Sequence, residues 1–208
     1  MERVIEPEIL DELDPDHPDA VASRRDLRRI NFLMGNERWI LRQLDRHREV
    51  AARGIVEWGA GSGDLLANLA RVGPACGVDQ IPRPEGLASE VDWIQGNALE
   101  VELSGGVLVA NLFLHHFDPD QLACLGRMAR GFSVVCLVEP WRAEWGLALG
   151  RGMLPWVNRV TKHDMIVSIR AGFVPGELAG LLGLDPREWK FSERCSWRGG
   201  LRVLGCRT

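Results

Sequence analysis

Apolar residues recur along this chain in two patterns, short continuous runs typical of buried strands and the three-to-four-residue spacing of helices. The run from Ile55 to Trp58 is typical of a short buried strand. After a glycine turn, Leu65, Leu66 and Leu69 recur at the spacing of one helical face. Further strands are predicted at 75–79, 91–94, 107–114, 131–139, 189–191 and 201–206. The alternation of strands and helices predicts an α/β fold with a mostly parallel sheet and helices on both faces.

Helical patterns also lie outside this alternation. Ser23 is a candidate helix cap, and a helical pair then extends to about residue 52 with a break at Gly35. Another helix is predicted from a cap at Thr161 to an end at Gly172, and a short one at 175–183. Residues 1–22 are acidic and contain three prolines, so we expect a loosely ordered, flexible arm with one short helix at most. Residues 23–208 then form a single domain.

The glycine turn after the first strand carries the main chemical signal. Gly59, Gly61 and Gly63 fall within five positions, and an acidic residue, Glu57, precedes them inside the strand. Glycines let the backbone turn sharply and let a ligand lie against it, because no Cβ stands in the way. The following helix start offers free N–H groups and a positive dipole end, which suit an anionic group. Position 64 is Asp64, whereas a dinucleotide fingerprint would have its third glycine there.

An acidic residue also ends the second strand. Asp79 follows Gly61 by 18 residues. In nucleotide-binding sheets an acid at this place accepts hydrogen bonds from both ribose hydroxyls, because a carboxylate offers two acceptors. The alternative is a loop aspartate that precedes the turn at 81–84. With the glycine turn beside it, the ribose role is preferred.

The sequence E-x-G-x-G-x-G resembles motif I of the class I S-adenosylmethionine-dependent methyltransferases, and the resemblance extends over residues 24–206. It implies a Rossmann-like fold with a seven-stranded sheet of order 3-2-1-4-5-7-6, an N-terminal helical lid at 23–52 and a substrate-side insertion at 141–173. It implies S-adenosylmethionine as cofactor and S-adenosylhomocysteine as product. The implied cofactor-binding residues are Glu57, Gly59, Ala60, Gly61, Gly63, Asp79, Gln80, Asn97, Ala98, Asn111 and Leu112. Asn97 stands where the family more often has Asp near the adenine, and an ordinary turn role is its alternative.

The segment 111–117, N-L-F-L-H-H-F, resembles the signature after strand 4 of the small-molecule, ubiquinone/menaquinone-like (type 11) branch. It is unlike the N-P-P-Y motif of amino methyltransferases and lacks the acidic metal-ligand pattern of the catechol type, so no metal is expected. His115 and His116 are the candidate catalytic bases, with His115 preferred. The alternative is that both are structural, because alignment alone supplies much of the rate. A pairing of His163 with Asp164 is a weaker candidate than a helix-surface role.

The lid and the insertion are together the candidate acceptor region. Trp141, Trp145, Met153 and Trp156 would line an apolar pocket, and plain packing on the sheet is the alternative for each. The expected acceptor is a small aromatic or polyketide-like molecule, with O-methylation favoured over C-methylation. Two other functions stay open: a catalytically silent protein that binds S-adenosylmethionine and assists a partner, and an NAD-type oxidoreductase. One of the arginines at 24–29, or Asn31, is a minor candidate for contacting the cofactor carboxylate.

Composition and charge limit the classes of binding partner and the cellular compartments that we expect. The chain has 208 residues, a net charge of −4 and a pI near 5.8, which argue against nucleic acid as main partner. No apolar run reaches the ~18 residues that a membrane span needs. The five cysteines form no C-x-x-C pair, and the N-terminus has no signal-peptide layout, so we expect a cytoplasmic protein. Homodimerisation stays open.

Overall fold

A seven-stranded sheet forms the centre of the structure, a computed structural model that describes residues 1–14 and 16–208. Its strands are β1 (Ile55–Trp58), β2 (Ala75–Asp79), β3 (Asp92–Gln95), β4 (Gly105–Asn111), β5 (Phe132–Pro140), β6 (Trp189–Cys195) and β7 (Gly200–Arg207). The order is β3-β2-β1-β4-β5-β7-β6. Strands β1 to β5 are parallel, and β7 runs antiparallel to both β5 and β6. The predicted fold class and strand order are confirmed.

Helices cover both faces of the sheet. They are α1 (Ile9–Glu12), α2 (Pro18–Met34), α3 (Asn36–Arg46), α4 (Arg48–Ala51), α5 (Asp64–Leu69), α6 (Pro119–Ala129), α7 (Glu144–Met153), α8 (Arg159–Ala171) and α9 (Glu177–Leu181). Successive side chains of β4 point to opposite faces, so Val107 and Val109 join one apolar cluster while Leu108 and Ala110 join the other. Both clusters are buried, as the continuous apolar run of this strand predicts. No helix within residues 1–14 and 16–208 is long and apolar enough to cross a membrane.

Two predicted helix starts were wrong. Helix α2 begins at Pro18, where the fixed φ of proline suits the first helical turn, and His17 caps it by accepting the Asp19 N–H. Ser23 is therefore an interior residue, buried, with its Oγ 2.8 Å from Thr161 Oγ1. Thr161 in turn does not cap α8, because Asn158 Oδ1 accepts the Thr161 N–H at 2.8 Å. The predicted break at Gly35 and the helix end before Gly172 are confirmed.

The first residues of the chain pack against the domain through specific hydrogen bonds. Asp164 on α8 accepts the N–H groups of Ile9 and Leu10 at 2.8 and 3.0 Å. Arg3 donates to the carbonyl oxygens of Ala171, His115 and Phe117. The predicted acidic arm over 1–22 thus has defined contacts up to residue 14 and becomes helix α2 from Pro18, while Pro15 lies outside the described residues. Its flexibility in solution stays a prediction.

Two helical glycines should respond in opposite directions to substitution by alanine. A Cβ on Gly126 in α6 would lie 1.7 Å from the Leu182 carbonyl oxygen, whereas a Cβ on Gly180 in α9 would meet nothing within 4 Å. Gly126→Ala should lower the free energy of unfolding by about 1–3 kcal/mol through overpacking. Gly180→Ala should raise it by up to ~1 kcal/mol, because alanine favours the helix. Urea unfolding measures both, and the same sign for the two variants would contradict the packing of α6 on α9.

Candidate active site

The glycine turn after β1 forms an open cradle. Gly59, Gly61 and Gly63 have φ values of 69°, 51° and 74°, in the left-handed region that glycine adopts at little cost. A Cβ on Gly61 would meet no heavy atom within 4 Å, so this part of the turn is open to a ligand. A Cβ on Gly59 would strike the ring of Phe113 at 2.2 Å, so that aromatic ring lies directly over the turn.

Asp79 holds one side of the cradle. Its Oδ2 accepts the Gly61 N–H at 2.8 Å, and its Oδ1 accepts the Ile81 N–H at 3.2 Å. Each carboxylate oxygen keeps a second lone pair, so the group can still accept two further hydrogen bonds. The carboxylate therefore fits a vicinal diol such as a ribose.

Glu57 contributes a buried carboxyl that lacks a partner. Its side chain is 3% exposed, and its Oε2 makes no hydrogen bond to the described residues. Burial raises the pKa of Glu57 well above its ordinary value, and the neighbouring Asp79 carboxylate raises it further. A buried acceptor among negative charges is an environment that would bind an ammonium group, because the cation would satisfy the oxygen and offset the charge.

A second unsatisfied acceptor lies at the same edge. Trp58 of β1 stands opposite Ala110 of β4, so Asn111 follows beside the glycine turn. The Asn111 Oδ1 is buried and has no partner among the described residues. Two orphaned acceptors and an open glycine turn thus meet at the carboxyl ends of β1 and β4. A ligand with hydrogen-bond donors fits this edge.

The residues predicted near an adenine ring lie at the carboxyl ends of β2 and β3. Asn97 Oδ1 accepts the Leu99 N–H at 3.0 Å and so forms a local turn, while its Nδ2 lies 3.4 Å from Glu100 Oε1. Ala98 is buried, and the side chain of Gln80 is exposed. Because the side-chain oxygen of Asn97 already accepts a main-chain N–H, a contact of this side chain with a cofactor stays a prediction.

The turn after β4 depends on a buried carboxylate that the sequence analysis did not single out. Leu112 has a φ of 55°, the only positive φ among the described non-glycine residues. The chain beyond it is held by Glu139 of β5, which is fully buried. Its two oxygens accept the N–H groups of residues 113, 114 and 115 at 2.8 to 3.3 Å. These bonds end β4 at Asn111, three residues before the predicted strand end. An acid inside the apolar run 131–139 was the signal that could have identified Glu139.

The two histidines have different environments, and neither lines the cavity described below. His115 is buried, with Nδ1 2.8 Å from Glu139 Oε2 and Nε2 3.5 Å from Glu8 Oε1. Burial lowers the pKa of His115, but the two carboxylates outweigh this and raise it to about 9. His116 is about one-third exposed, with Nδ1 2.9 Å from the Phe113 carbonyl oxygen and Nε2 3.5 Å from Glu8. A histidine that is already protonated at neutral pH cannot accept a proton, which argues against His115 as a base.

An apolar cavity of about 370 Å³ opens beside this edge. Its walls come from α2, α7 and α8, from Leu112 and Pro140, and from the loop between β6 and β7. The lining residues are Leu27, Ile30, Leu33, Met34, Leu112, Pro140, Gly146, Leu149, Gly150, Met153, Met165, Ser168, Ile169, Trp197, Arg198 and Gly199. Leu112 is thus both a predicted cofactor contact and a wall of this cavity. Among the lining side chains, Ser168 and Arg198 carry the polar groups besides the Trp197 indole.

The predicted acceptor residues separate in the structure. Met153 lines the cavity. Trp141 packs against the main core, and Trp156 is 82% exposed. Trp145 is half exposed, and its Nε1 donates to the Trp197 carbonyl oxygen at 2.9 Å, which places it beside the cavity rather than in its wall. Sequence reasoning expected the lid and the insertion to form the pocket, but it did not predict the contribution of Trp197 to Gly199.

The secondary candidates, His163 and Asn31, have different surroundings, and a contact of Asn31 with the cofactor stays a prediction. His163 Nδ1 lies 3.1 Å from Asp164, whose oxygens already accept two N–H groups of α1. Asn31 Oδ1 is buried without a partner among the described residues, and Asn31 lines a separate pocket between α3 and α5. These positions give neither group a contact with the glycine turn.

No protein-family model and no curated protein sequence matches the chain. Solved structures do match it. The plantazolicin methyltransferase BpumL, in complex with a triazolic desmethylPZN analog and SAH, aligns over 92% of both chains with a TM-score of 0.70 and 11% identity. The pyocyanin biosynthetic protein PhzM aligns over 97% of this chain and 62% of its own, with a TM-score of 0.62 and 16% identity. Magnesium protoporphyrin IX methyltransferase (ChlM) from Synechocystis PCC 6803, with bound SAH, aligns over 84% and 83%, with a TM-score of 0.55 and 11% identity.

At these identities the likeness shows the fold. The chain therefore has the class I methyltransferase fold, which its strand order and glycine turn also indicate. The narrower assignment to the ubiquinone/menaquinone-like branch stays a prediction.

The stability of Glu57→Gln relative to the wild type should increase as pH rises. A carboxyl whose folded-state pKa is raised keeps its proton in the folded state, so it contributes stability that is lost as pH rises above the unfolded pKa of about 4.5. Glutamine has no such loss. The free energy of unfolding of the variant should therefore exceed that of the wild type by an amount that grows between pH 4.5 and 7. Urea unfolding at several pH values measures it, and a constant difference would contradict the assigned pKa direction.

Glu139→Gln should lower the free energy of unfolding by about 3 kcal/mol or more, because His115 and three N–H groups lose their buried carboxylate. The pKa of His115, followed by NMR, should fall from about 9. Glu193→Gln is the control, since Glu193 is a partly exposed acid that accepts a single N–H, from Gly176. It should change stability by less than ~0.5 kcal/mol. Equal effects for the two variants would show that Glu139 does not organise the turn.

Proposed function

We propose that this protein is an S-adenosylmethionine-dependent methyltransferase that modifies a small, predominantly apolar acceptor. The observation that carries the proposal is the position of Leu112. This residue directly follows the carboxyl end of β4, beside the glycine turn proposed to hold the cofactor, and it also lines the apolar cavity. A cofactor in the cradle and an acceptor in the cavity would meet at this residue. The SAH-bound structures of similar fold support the same cofactor.

The residues of the cradle fit S-adenosylmethionine by their chemistry. The Asp79 carboxylate suits the ribose diol, and the orphaned Glu57 oxygen suits the amino group of the methionyl part. Gly61 leaves the backbone open to close approach. The cofactor supplies an electrophilic methyl group on a sulfonium. The NAD-type alternative is less well supported, because the third fingerprint glycine is replaced by Asp64.

The cavity supports an apolar acceptor. Its walls are mostly Leu, Ile and Met side chains, which bind apolar surface and exclude water. Arg198 offers a cation for one polar or anionic group of the acceptor. We propose a small aromatic or polyketide-like molecule with a phenol or enol, and O-methylation ahead of C-methylation.

Alignment is the main catalytic device in this proposal. Methyl transfer is an in-line displacement, so holding the nucleophile behind the S–CH₃ bond supplies much of the barrier reduction. His115 has both ring nitrogens facing carboxylates, and neither histidine lines the cavity. The acceptor therefore reaches the site ionised, or loses its proton to water as the methyl group is transferred. A cytoplasmic location and the absence of a nucleic-acid partner stay predictions.

Calorimetric titration with S-adenosylhomocysteine tests the cofactor assignment. The wild type should bind it at micromolar concentration, and Asp79→Ala and Glu57→Gln should bind it at least about tenfold more weakly. Gly61→Arg should abolish binding, because its side chain would enter the open cradle. Gly183→Arg is a matched control, since Gly183 also has a left-handed φ, of 61°, and open space around it, at the far end of α9. It should bind like the wild type.

Absence of binding to the wild type would overturn the methyltransferase proposal, and binding of NAD would favour the oxidoreductase. With binding established, a panel of phenolic and enolic acceptors tests transfer. Binding without transfer to any acceptor would favour the silent partner protein. His115→Ala and His116→Ala distinguish a base from a structural role, because loss of a base changes the pH profile of kcat.

A further inference from the structure

A group of three potential metal ligands lies where the first residues of the chain meet the turn after β4. Glu8 comes from the segment before α1, and His115 and His116 come from that turn. One potential ligand atom from each of the three residues lies within 4.8 Å of the other two. The side chain of His115 is 4% exposed, that of Glu8 11% and that of His116 35%. The group is thus mostly enclosed, with one side open to solvent.

The second nitrogen of each imidazole is already committed as a donor. His116 Nδ1 donates to the Phe113 carbonyl oxygen at 2.9 Å, and His115 Nδ1 donates to the Glu139 carboxylate at 2.8 Å. Both Nε2 atoms lie beside the same Glu8 oxygen, and each becomes a metal ligand when its ring is neutral, so metal binding would release the Nε2 proton of His115. A hydrogen-bond acceptor behind each histidine is the usual support of a metal-binding imidazole, because it sets the tautomer and the ring orientation.

The distances also favour a cation between these atoms. Both Nε2 atoms are 3.5 Å from Glu8 Oε1. A charge-assisted N–H···O bond is about 2.7–2.9 Å long, so each histidine forms a long ion pair with Glu8 rather than a close hydrogen bond. Ligands at ~2.0–2.1 Å from a tetrahedral zinc ion are about 3.3–3.4 Å apart, which is close to the observed separation.

Neighbouring groups hold the carboxylate in place. Ser168 Oγ lies within hydrogen-bond distance of Glu8 Oε1, and Asp164 holds the N–H groups of the two residues that follow Glu8. The carboxylates of Glu139, Asp164 and Asp11 lie near the group, and the Arg3 guanidinium donates to the main-chain oxygens of the turn. The excess of negative charge favours a cation.

From this geometry we propose that Glu8, His115 and His116 bind a divalent transition metal of the zinc type, with a fourth position open to solvent. The ligand set of two histidines and one carboxylate is one that zinc commonly adopts. Such an ion would fasten residues 1–12 to the turn that follows β4. The sequence motifs predicted no metal, because the chain has neither a C-x-x-C pair nor the acidic pattern of catechol-type enzymes, and a site assembled from distant segments leaves no such motif. The proposal does not depend on the proposed methyl transfer.

Metal titration of the full, tag-free chain after chelator dialysis tests the site. The wild type should bind one equivalent of Co²⁺, with the visible absorption of a tetrahedral ion and no thiolate charge-transfer band, and Zn²⁺ should displace it. Glu8→Gln and His116→Gln should each weaken the affinity by at least about tenfold. His163→Gln is the matched control, because it removes a nearby exposed imidazole and leaves the three ligands intact. It should bind as the wild type does.

Hydrogen exchange supplies a readout that is independent of the metal spectrum. Zn²⁺ should slow the exchange of the Ile9 and Leu10 amides in the wild type and in His163→Gln, but not in Glu8→Gln. Circular dichroism establishes that each variant is folded. The proposal is overturned if the wild type shows no saturable binding or if thiolate bands place the ion at cysteines. Equal affinities of Glu8→Gln, His116→Gln and the wild type would overturn it as well.

Discussion

The buried carboxylate of Glu139 organises the functional edge of this protein. It accepts the three N–H groups that follow the strained Leu112, and it receives the Nδ1–H of His115. A buried carboxylate is costly unless it is fully hydrogen-bonded, so the turn and the carboxylate stabilise each other. This one group sets where β4 ends, where Leu112 faces and how the imidazole of His115 is oriented. The turn carries Leu112, which lines the cavity, and Phe113, whose ring lies over Gly59. Its carbonyl oxygens also accept the hydrogen bonds of Arg3 that dock the first residues of the chain.

The same edge separates two chemical environments. On one side, the open glycine turn, the Asp79 carboxylate and two orphaned acceptors suit a polar ligand with donors. On the other, the cavity between α2, α7 and α8 is almost entirely apolar. The lid is joined to the sheet by arginines that donate to main-chain oxygens: Arg198 to Leu33, and Arg202 to Met34 and Gly35. These bonds link the end of α2 to the β6–β7 hairpin and so hold the cavity walls together.

Much of the fold follows from local sequence. The continuous apolar run of β4 predicts a strand buried on both faces, and the strand is buried in this way. The spacing of the three glycines predicts a sharp turn, and all three have left-handed angles. Periodicity and glycine spacing were therefore enough to predict the sheet and the cradle. The start of α2 at Pro18 and the cap of α8 at Asn158 were missed, because Ser23 and Thr161 are equally good caps on local grounds. Ser23 and Thr161 instead bond to each other across 138 residues of chain, and no local pattern reveals such a contact.

The histidines likewise have some properties that the sequence shows and others that depend on the tertiary structure. The pair His115-His116 at the end of a buried strand is visible in the sequence, and so is the acidity of the first residues. The approach of Glu8 and Glu139 to His115 joins three segments that are distant along the chain, and it turns a candidate base into a protonated ring or a candidate metal ligand. Hydrophobic periodicity and turn residues act over a few neighbouring positions, so the sequence by itself determines the strands, the helices and the cradle. Charge and hydrogen-bond partners act across space, so the state of each buried polar group is set only once the segments have packed together.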